Sequence, residues 1–125
     1  MVRADTSTSI AAAIESFRNG QMLIVVDDED RENEGDFIIA AEKARPEDIN
    51  FMMKEGRGLI CIAISSECTH RLGLSPMVAE NTAIHHTNFT VSVDATRNTS
   101  TGISAKDRWE TVQVILDENS NPSDL

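Results

Sequence analysis

The sequence predicts a mixed α+β fold: a mixed, twisted sheet with helices packed on its faces. Three observations carry that expectation: short β-branched apolar runs, helically spaced apolar residues between them, and one densely charged link joining the first two runs. Ile10, Ala13, Ile14 and Phe17 recur at i, i+3, i+4 and i+7 behind Thr6-Ser7-Thr8-Ser9, which predicts a capped helix closed by Gly20. Residues 22–26 (Met22 to Val26) and 37–41 (Phe37 to Ala41) are expected as buried strands. Pro46, Glu47 and Asp48 open a second helix that carries Ile49, Met52 and Met53 and ends near Gly56. Residues 59–64 form a further buried strand, and 65–72 a short helix stopped by Gly73. Phe89, Val91 and Val93 alternate with Thr90, Ser92 and Asp94, the pattern of a half-exposed strand. Ser104-Ala-Lys-Asp107 has the form of a capping box before the stripe Ala105, Trp109, Val112, Leu116. Residues 117–125 read as a polar loop. About four strands and four helices are few for a three-layer fold, so one incomplete domain over residues 1–125, lacking its C-terminal portion, is expected.

Charge and composition exclude several functions. Twenty-one Asp+Glu against 11 Lys+Arg give the 125 residues a formal net charge of −10. That balance repels phosphate backbones, and aromatics at 4 % offer no stacking platform, so no nucleic-acid partner is expected. No apolar run approaches the ~20 residues of a membrane span, so no membrane partner is expected. Cys61 and Cys68 are too few for a disulfide framework, and no secretory pattern opens the sequence. The expected compartment is a reducing cytoplasm.

The chemistry concentrates in Asp27-Asp-Glu-Asp-Arg-Glu-Asn-Glu-Gly-Asp36, which holds seven carboxylates and one guanidinium between two apolar runs. If extended, Asp28, Asp30, Glu32, Glu34 and Asp36 share one face. Two carboxylates ~6 Å apart at an effective dielectric near 20 repel by about 3 kcal/mol. Such a cluster needs solvent, arginine, a divalent cation or protons. Most charge runs are solvated loops, so the composition leaves both readings open. Hard oxygen ligands favour Mg²⁺ or Mn²⁺. An EF-hand register from Asp30 fails, because its twelfth position is Ala41 rather than Glu.

The stretch Val25-Val-Asp-Asp-Glu-Asp-Arg-Glu-Asn-Glu-Gly-Asp36 resembles the 3,4-dihydroxy-2-butanone 4-phosphate synthases of riboflavin biosynthesis. The likeness continues, in order, through Ala41-Glu-Lys-Ala44, Pro76-Met-Val-Ala-Glu-Asn-Thr82, Phe89-Thr-Val-Ser-Val93, Ser100-Thr-Gly-Ile-Ser-Ala-Lys-Asp-Arg108 and Asn121-Pro-Ser-Asp-Leu125. The resemblance implies a lyase that converts ribulose 5-phosphate to 3,4-dihydroxy-2-butanone 4-phosphate and formate with Mg²⁺ (or Mn²⁺), working as a cytoplasmic homodimer. By the family pattern Glu32 is a metal ligand that also meets substrate, and Arg31 and Asp36 contact substrate. Asp27 and Glu34 match carboxylates that handle protons or order the loop. Cys61 matches a cysteine near substrate, although an inert core thiol is the plainer reading of its apolar strand. Ser100-Thr101-Gly102 before a capped helix suggests phosphate binding by Thr101 and backbone amides, with a simple loop-to-helix turn as the alternative. Gly35 is expected to bend the chain between loop and strand, or to be a plain turn glycine.

Other residues carry weaker signals. Cys68 and His70 have no common zinc spacing and read as surface or packing residues. His86-Thr87, preceded by His85, stands where the family has a glycine-threonine pair, and a metal-binding role for the paired histidines competes with that of exposed loop histidines. The family pattern continues beyond the counterpart of Leu125 with a histidine and a glutamate of the site. The 125 residues alone are therefore expected to be inactive, with a truncated, non-catalytic association module as the alternative function.

Overall fold

The computed structural model describes residues 9–84 and 87–125. The cap candidates Thr6, Ser7 and Thr8 and the pair His85-His86 lie outside the described residues. The chain divides after Gly58 into two compact units.

The first unit is a helix, a hairpin and a second helix. Helix α1, Ile10–Arg18, is capped by Ser9, whose hydroxyl accepts from Ala12 N–H at 3.3 Å. It ends in a Schellman turn: Gly20, at φ +77°, donates to Phe17 O, and Gln21 donates to Ser16 O. Strands β1 (Leu23–Val26) and β2 (Gly35–Ile38) pair antiparallel, with Leu23 opposite Ile38 and Val26 opposite Gly35. The apolar residues Ile10, Ala13, Ile14 and Phe17 of α1 face Leu23, Val25 and Ile38 across a shallow cleft. On the other face of the hairpin, Phe37 meets Phe51 with ring centroids 5.4 Å apart. Phe51 closes α2, Pro46–Phe51, which begins with the Asp48 carboxylate accepting Arg45 N–H at 2.9 Å. A π-helical turn, Met52–Gly56, follows, and Arg57 at φ +58° stops it. Ala44 and Ile49 are the buried apolar residues of this unit.

Two corrections follow. The first strand is not buried, since Ile24, Val25 and Val26 are all exposed, Ile24 by 67 %. The sheet has no third strand among the described residues, and α1 covers Val25 only across a shallow cleft. The second strand begins two residues and ends three residues earlier than expected, and Ala41–Lys43 is a 3₁₀ turn.

The second unit is built around α3, Ser66–Arg71, and α4, Ala105–Leu116. Ser65 caps α3 through Cys68 N–H, and Gly73 (φ +64°) with Leu74 closes it in a second Schellman turn onto His70 and Thr69. Leu72, 2 % exposed, Ala95 and Ile115 are the buried apolar residues of this unit. The buried line of α4 is Asp107, Thr111 and Ile115, not the expected stripe, whose Leu116 is exposed. A polar line can be buried here because each member is hydrogen-bonded: Thr111 Oγ1 accepts from Ala95 N–H and donates to Asp107 O.

Residues 59–64 do not form a ladder with any described segment. Their burial still alternates, Ile60, Ile62 and Ile64 inward and Leu59, Cys61 and Ala63 outward, which corrects the buried strand to a half-exposed extended segment. Phe89–Val93 is likewise reduced to one bridge, Pro76 opposite Thr90. Extended backbone becomes a strand only when a partner edge completes its hydrogen bonds. The polar C-terminal stretch is anchored instead of loose. Asn121 caps a 3₁₀ turn, Pro122–Asp124, and Thr96 N–H donates to Asp124 O at 2.9 Å.

Arg71 fastens the end of α4. Its Nη1 donates to Asp117 O (2.8 Å) and Ser120 O (2.9 Å), and its Nη2 to Ile115 O (2.9 Å). One guanidinium thus satisfies three carbonyls, two of them beyond the last turn of α4. An ammonium on a flexible stem cannot reproduce that fork. Arg71→Lys is expected to lower the unfolding free energy by about 1–3 kcal/mol, measured as a reduced urea midpoint at unchanged slope.

Candidate active site

The acidic link is a folded loop gathered on one carboxylate. Asp27, at the end of β1, accepts Glu34 N–H on Oδ1 (2.9 Å) and Glu32 N–H on Oδ2 (3.0 Å). Its Oδ2 also takes the Arg31 guanidinium at 2.9 Å, and its own N–H donates to Glu34 O. Arg31 reaches Glu32 Oε1 with its other terminal nitrogen at 3.2 Å. One guanidinium therefore bridges Asp27 and Glu32. Upstream, Asp28 Oδ1 accepts Asp30 N–H and Asp28 O accepts Arg31 N–H, so residues 28–31 turn back on themselves.

These bonds overturn the extended geometry expected for residues 28–36. The loop curls, and carboxylates two apart do not share one face, because main-chain donors turn toward Asp27 rather than along a strand. The bend also has a different residue. Asn33 sits at φ +52°, the left-handed region that asparagine tolerates. Gly35 begins β2 with no positive φ, and a Cβ there would make ordinary contacts with Ile24 and Val26 at 3.5 and 3.7 Å.

Of the expected site residues, the loop brings Asp27, Arg31, Glu32 and Glu34 together, and Asp36 follows in β2 opposite Val25. Cys61 and Thr101 belong to the second unit. Cys61 is exposed on the outward side of its extended segment, which corrects the core-thiol reading. Cys68 packs half-buried, its Sγ 3.4 Å from Arg71 Nη2. Thr101 is exposed, and the amides expected to receive phosphate beside it are engaged. Ser100 N–H (3.2 Å), Ser100 Oγ (2.9 Å) and Gly102 N–H (3.1 Å) all donate to Asp107 Oδ2. Asp107 thus reaches upstream into the loop rather than back to the Ser104 amide as a capping box would. Sequence reasoning missed this role, and the spacing from Ser100 to Asp107 was the only hint.

With this geometry in hand, comparison with known proteins is decisive. Residues 11–125 match the family model of 3,4-dihydroxy-2-butanone 4-phosphate synthase. The chain belongs to that family. It is 58 % identical over 116 residues to the riboflavin biosynthesis protein RibBA of Bacillus subtilis, covering 93 % of this chain and 29 % of that protein. It is 51 % identical to the 3,4-dihydroxy-2-butanone 4-phosphate synthase of Wolinella succinogenes, covering 93 % of this chain and 33 % of the relative. A crystal structure of a 3,4-dihydroxy-2-butanone 4-phosphate synthase in complex with two magnesium ions superposes at TM-score 0.90 and 41 % identity, over 94 % of this chain and 55 % of that one. The chain thus spans about a third of these curated relatives and about half of that solved chain. The mixed α+β class read from the sequence is the family's. No helix among the described residues is long and apolar enough to cross a membrane.

No group of three or more His, Cys, Asp or Glu side chains converges among the described residues. The loop therefore offers single carboxylates rather than a cage. That donor set fits Mg²⁺, which keeps several waters and takes one or two carboxylates together with substrate oxygens.

The donors around Asp27 hold its carboxyl below the usual carboxylate range, the Glu34 amide first, with the Glu32 amide and Arg31 assisting against partial desolvation. A carboxyl whose folded pKa is depressed contributes its full stabilisation above the unfolded value. That contribution disappears as pH falls through the folded value. The loop is therefore expected to keep its shape below ~3.9, the ordinary Asp value, and to open only on further acidification. The Glu32 and Glu34 amide resonances report this titration by NMR; a midpoint at or above the ordinary value would contradict the hub.

Proposed function

We propose that this chain carries the acidic part of a lyase site that converts ribulose 5-phosphate to 3,4-dihydroxy-2-butanone 4-phosphate and formate in riboflavin biosynthesis. The observation that carries the reading is the loop gathered on Asp27, in the stretch that marks the family. Glu32 would hold Mg²⁺ or Mn²⁺, which when bound would supply electrostatic stabilisation of negative charge developing beside the ketone.

The chain's own residues supply part of the remaining chemistry. The reaction begins with removal of a proton beside the ketone, then loses water, rearranges and releases one carbon as formate. Asp27, held ionised by its donors, is suited to ordering the loop, and it keeps Arg31 aimed across Glu32. Glu34 has its main-chain N–H and C=O both fixed on Asp27, so its exposed carboxylate leaves the loop from an anchored backbone. That anchoring suits a group that carries protons. Arg31 and Asp36 are assigned to substrate hydroxyls and carbonyl, Cys61 to the substrate's vicinity, and Thr101 to its phosphate. Working as a cytoplasmic homodimer is part of the proposal, and the exposed Ile24, Val26 and Leu59 support association. The same exposed residues favour a second reading, an association module without turnover.

Two measurements separate the readings. Mn²⁺ added to the chain is expected to broaden the Arg31–Glu34 amide resonances, and Glu32→Gln to abolish that broadening. Broadening that persists in Glu32→Gln would remove Glu32 as a ligand. Parts of a site that act as a unit fail together, so the 125 residues alone are expected to release formate at least ~10³-fold more slowly than a full-length relative. Comparable turnover by the short chain would overturn that division of labour.

A further inference from the structure

The second unit contains a loop shaped like an anion-binding nest that already holds an anion. Ser100, Thr101 and Gly102 lead into Ser104, the cap of α4, where main-chain N–H groups and the positive end of a 12-residue helix converge. The group they converge on is Asp107 Oδ2, which accepts from Ser100 N–H, Ser100 Oγ and Gly102 N–H. Asp107 is 4 % exposed and is itself fixed by Ser104 Oγ, which accepts its N–H at 3.0 Å. Its carbonyl is bound by Thr111 Oγ1, and Thr111 Oγ1 in turn accepts Ala95 N–H at the other end of the loop. Thr99 Oγ1 closes the ring on Ala95 O at 2.6 Å.

Gly102 makes the arrangement possible. It lies at φ +77°, and a Cβ there would overlap the Asp94 carboxylate. Between the two engaged residues stands Thr101, exposed and hydrogen-bonded to no described residue.

We propose that Asp107 is a positioning residue that fills this nest from within, closing the Ser100 and Gly102 amides to an external anion and leaving Thr101 as the loop's donor to a phosphate group. The proposal rests on the assignment of Thr101 to the substrate phosphate above. It corrects the expectation that the loop's amides bind phosphate together. The donors around Asp107, the Ser100 hydroxyl first, also hold its carboxyl below the usual carboxylate range.

The test is a titration of the 125-residue chain with inorganic phosphate, following the Ser100, Thr101 and Gly102 amides by NMR together with their hydrogen exchange. In the native chain the Thr101 amide is expected to move while Ser100 and Gly102 stay still and protected. In Asp107→Ala, Ser100 and Gly102 are expected to exchange at least about tenfold faster and to move with phosphate. A merely structural role would not change which amides answer phosphate. If Asp107→Ala fails to fold, Asp107→Asn serves. Its neutral oxygen accepts more weakly, so both amides are expected to exchange about threefold faster.

Ser100 and Gly102 moving together with Thr101 in the native chain would overturn the proposal, as would the native response pattern persisting in a folded Asp107→Ala. A silent Thr101 beside protected Ser100 and Gly102 would instead remove Thr101 from the substrate reading, while the filled nest stands.

Discussion

A carboxylate that accepts several main-chain N–H groups is the interaction on which both units depend. Asp27 does this for the hairpin loop, drawing in the amides of Glu32 and Glu34 and the Arg31 guanidinium. Without it, seven carboxylates and one arginine between two short strands would repel into an open loop. With it, one charge of the cluster becomes an internal acceptor, and Arg31 bridges it to Glu32. The remaining carboxylates stand on a fixed backbone. Asp107 plays the same part in the second unit, where its oxygen organises the loop before α4. In each case a charged acceptor takes hydrogen bonds stronger than neutral ones, in a segment with little apolar area to hold it.

That economy matters because the apolar cores are small. Ala44 and Ile49 are buried in one unit and Leu72, Ala95 and Ile115 in the other, while long apolar side chains such as Ile24 and Leu59 remain exposed. Polar fastening therefore carries an unusual share of the structure. Arg71 on three carbonyls, Thr111 on Ala95, and Asn121 capping the last turn are its clearest cases. The residues proposed for the site therefore stand on loops shaped by hydrogen bonds.

The legible part of the sequence was its local part. Ser9 and Ser104 as caps, and Gly20 and Gly73 as stops, depend on neighbours within about five residues and were found where expected. The Asp27–Asp36 stretch was legible through its resemblance to the family, whereas its composition alone left a solvated loop open. What failed was non-local. Residues 59–64 alternate as a strand does, but pairing requires an edge that their own sequence does not specify. Arg71 gave no sign of reaching 44 to 49 residues along the chain. Asn33 rather than Gly35 took the left-handed position, because Asp27 fixes the loop's exit at Glu34 and the turn must be complete before it.

The account rests most directly on the claim that Asp27 folds the acidic loop. Amide hydrogen exchange in Asp27→Ala beside the native chain tests it. The account predicts that the Glu32 and Glu34 amides lose protection by at least about tenfold, while those of Leu23 and Ile38, at the far end of the hairpin, change little. Equal protection of Glu32 and Glu34 in the two proteins would contradict it.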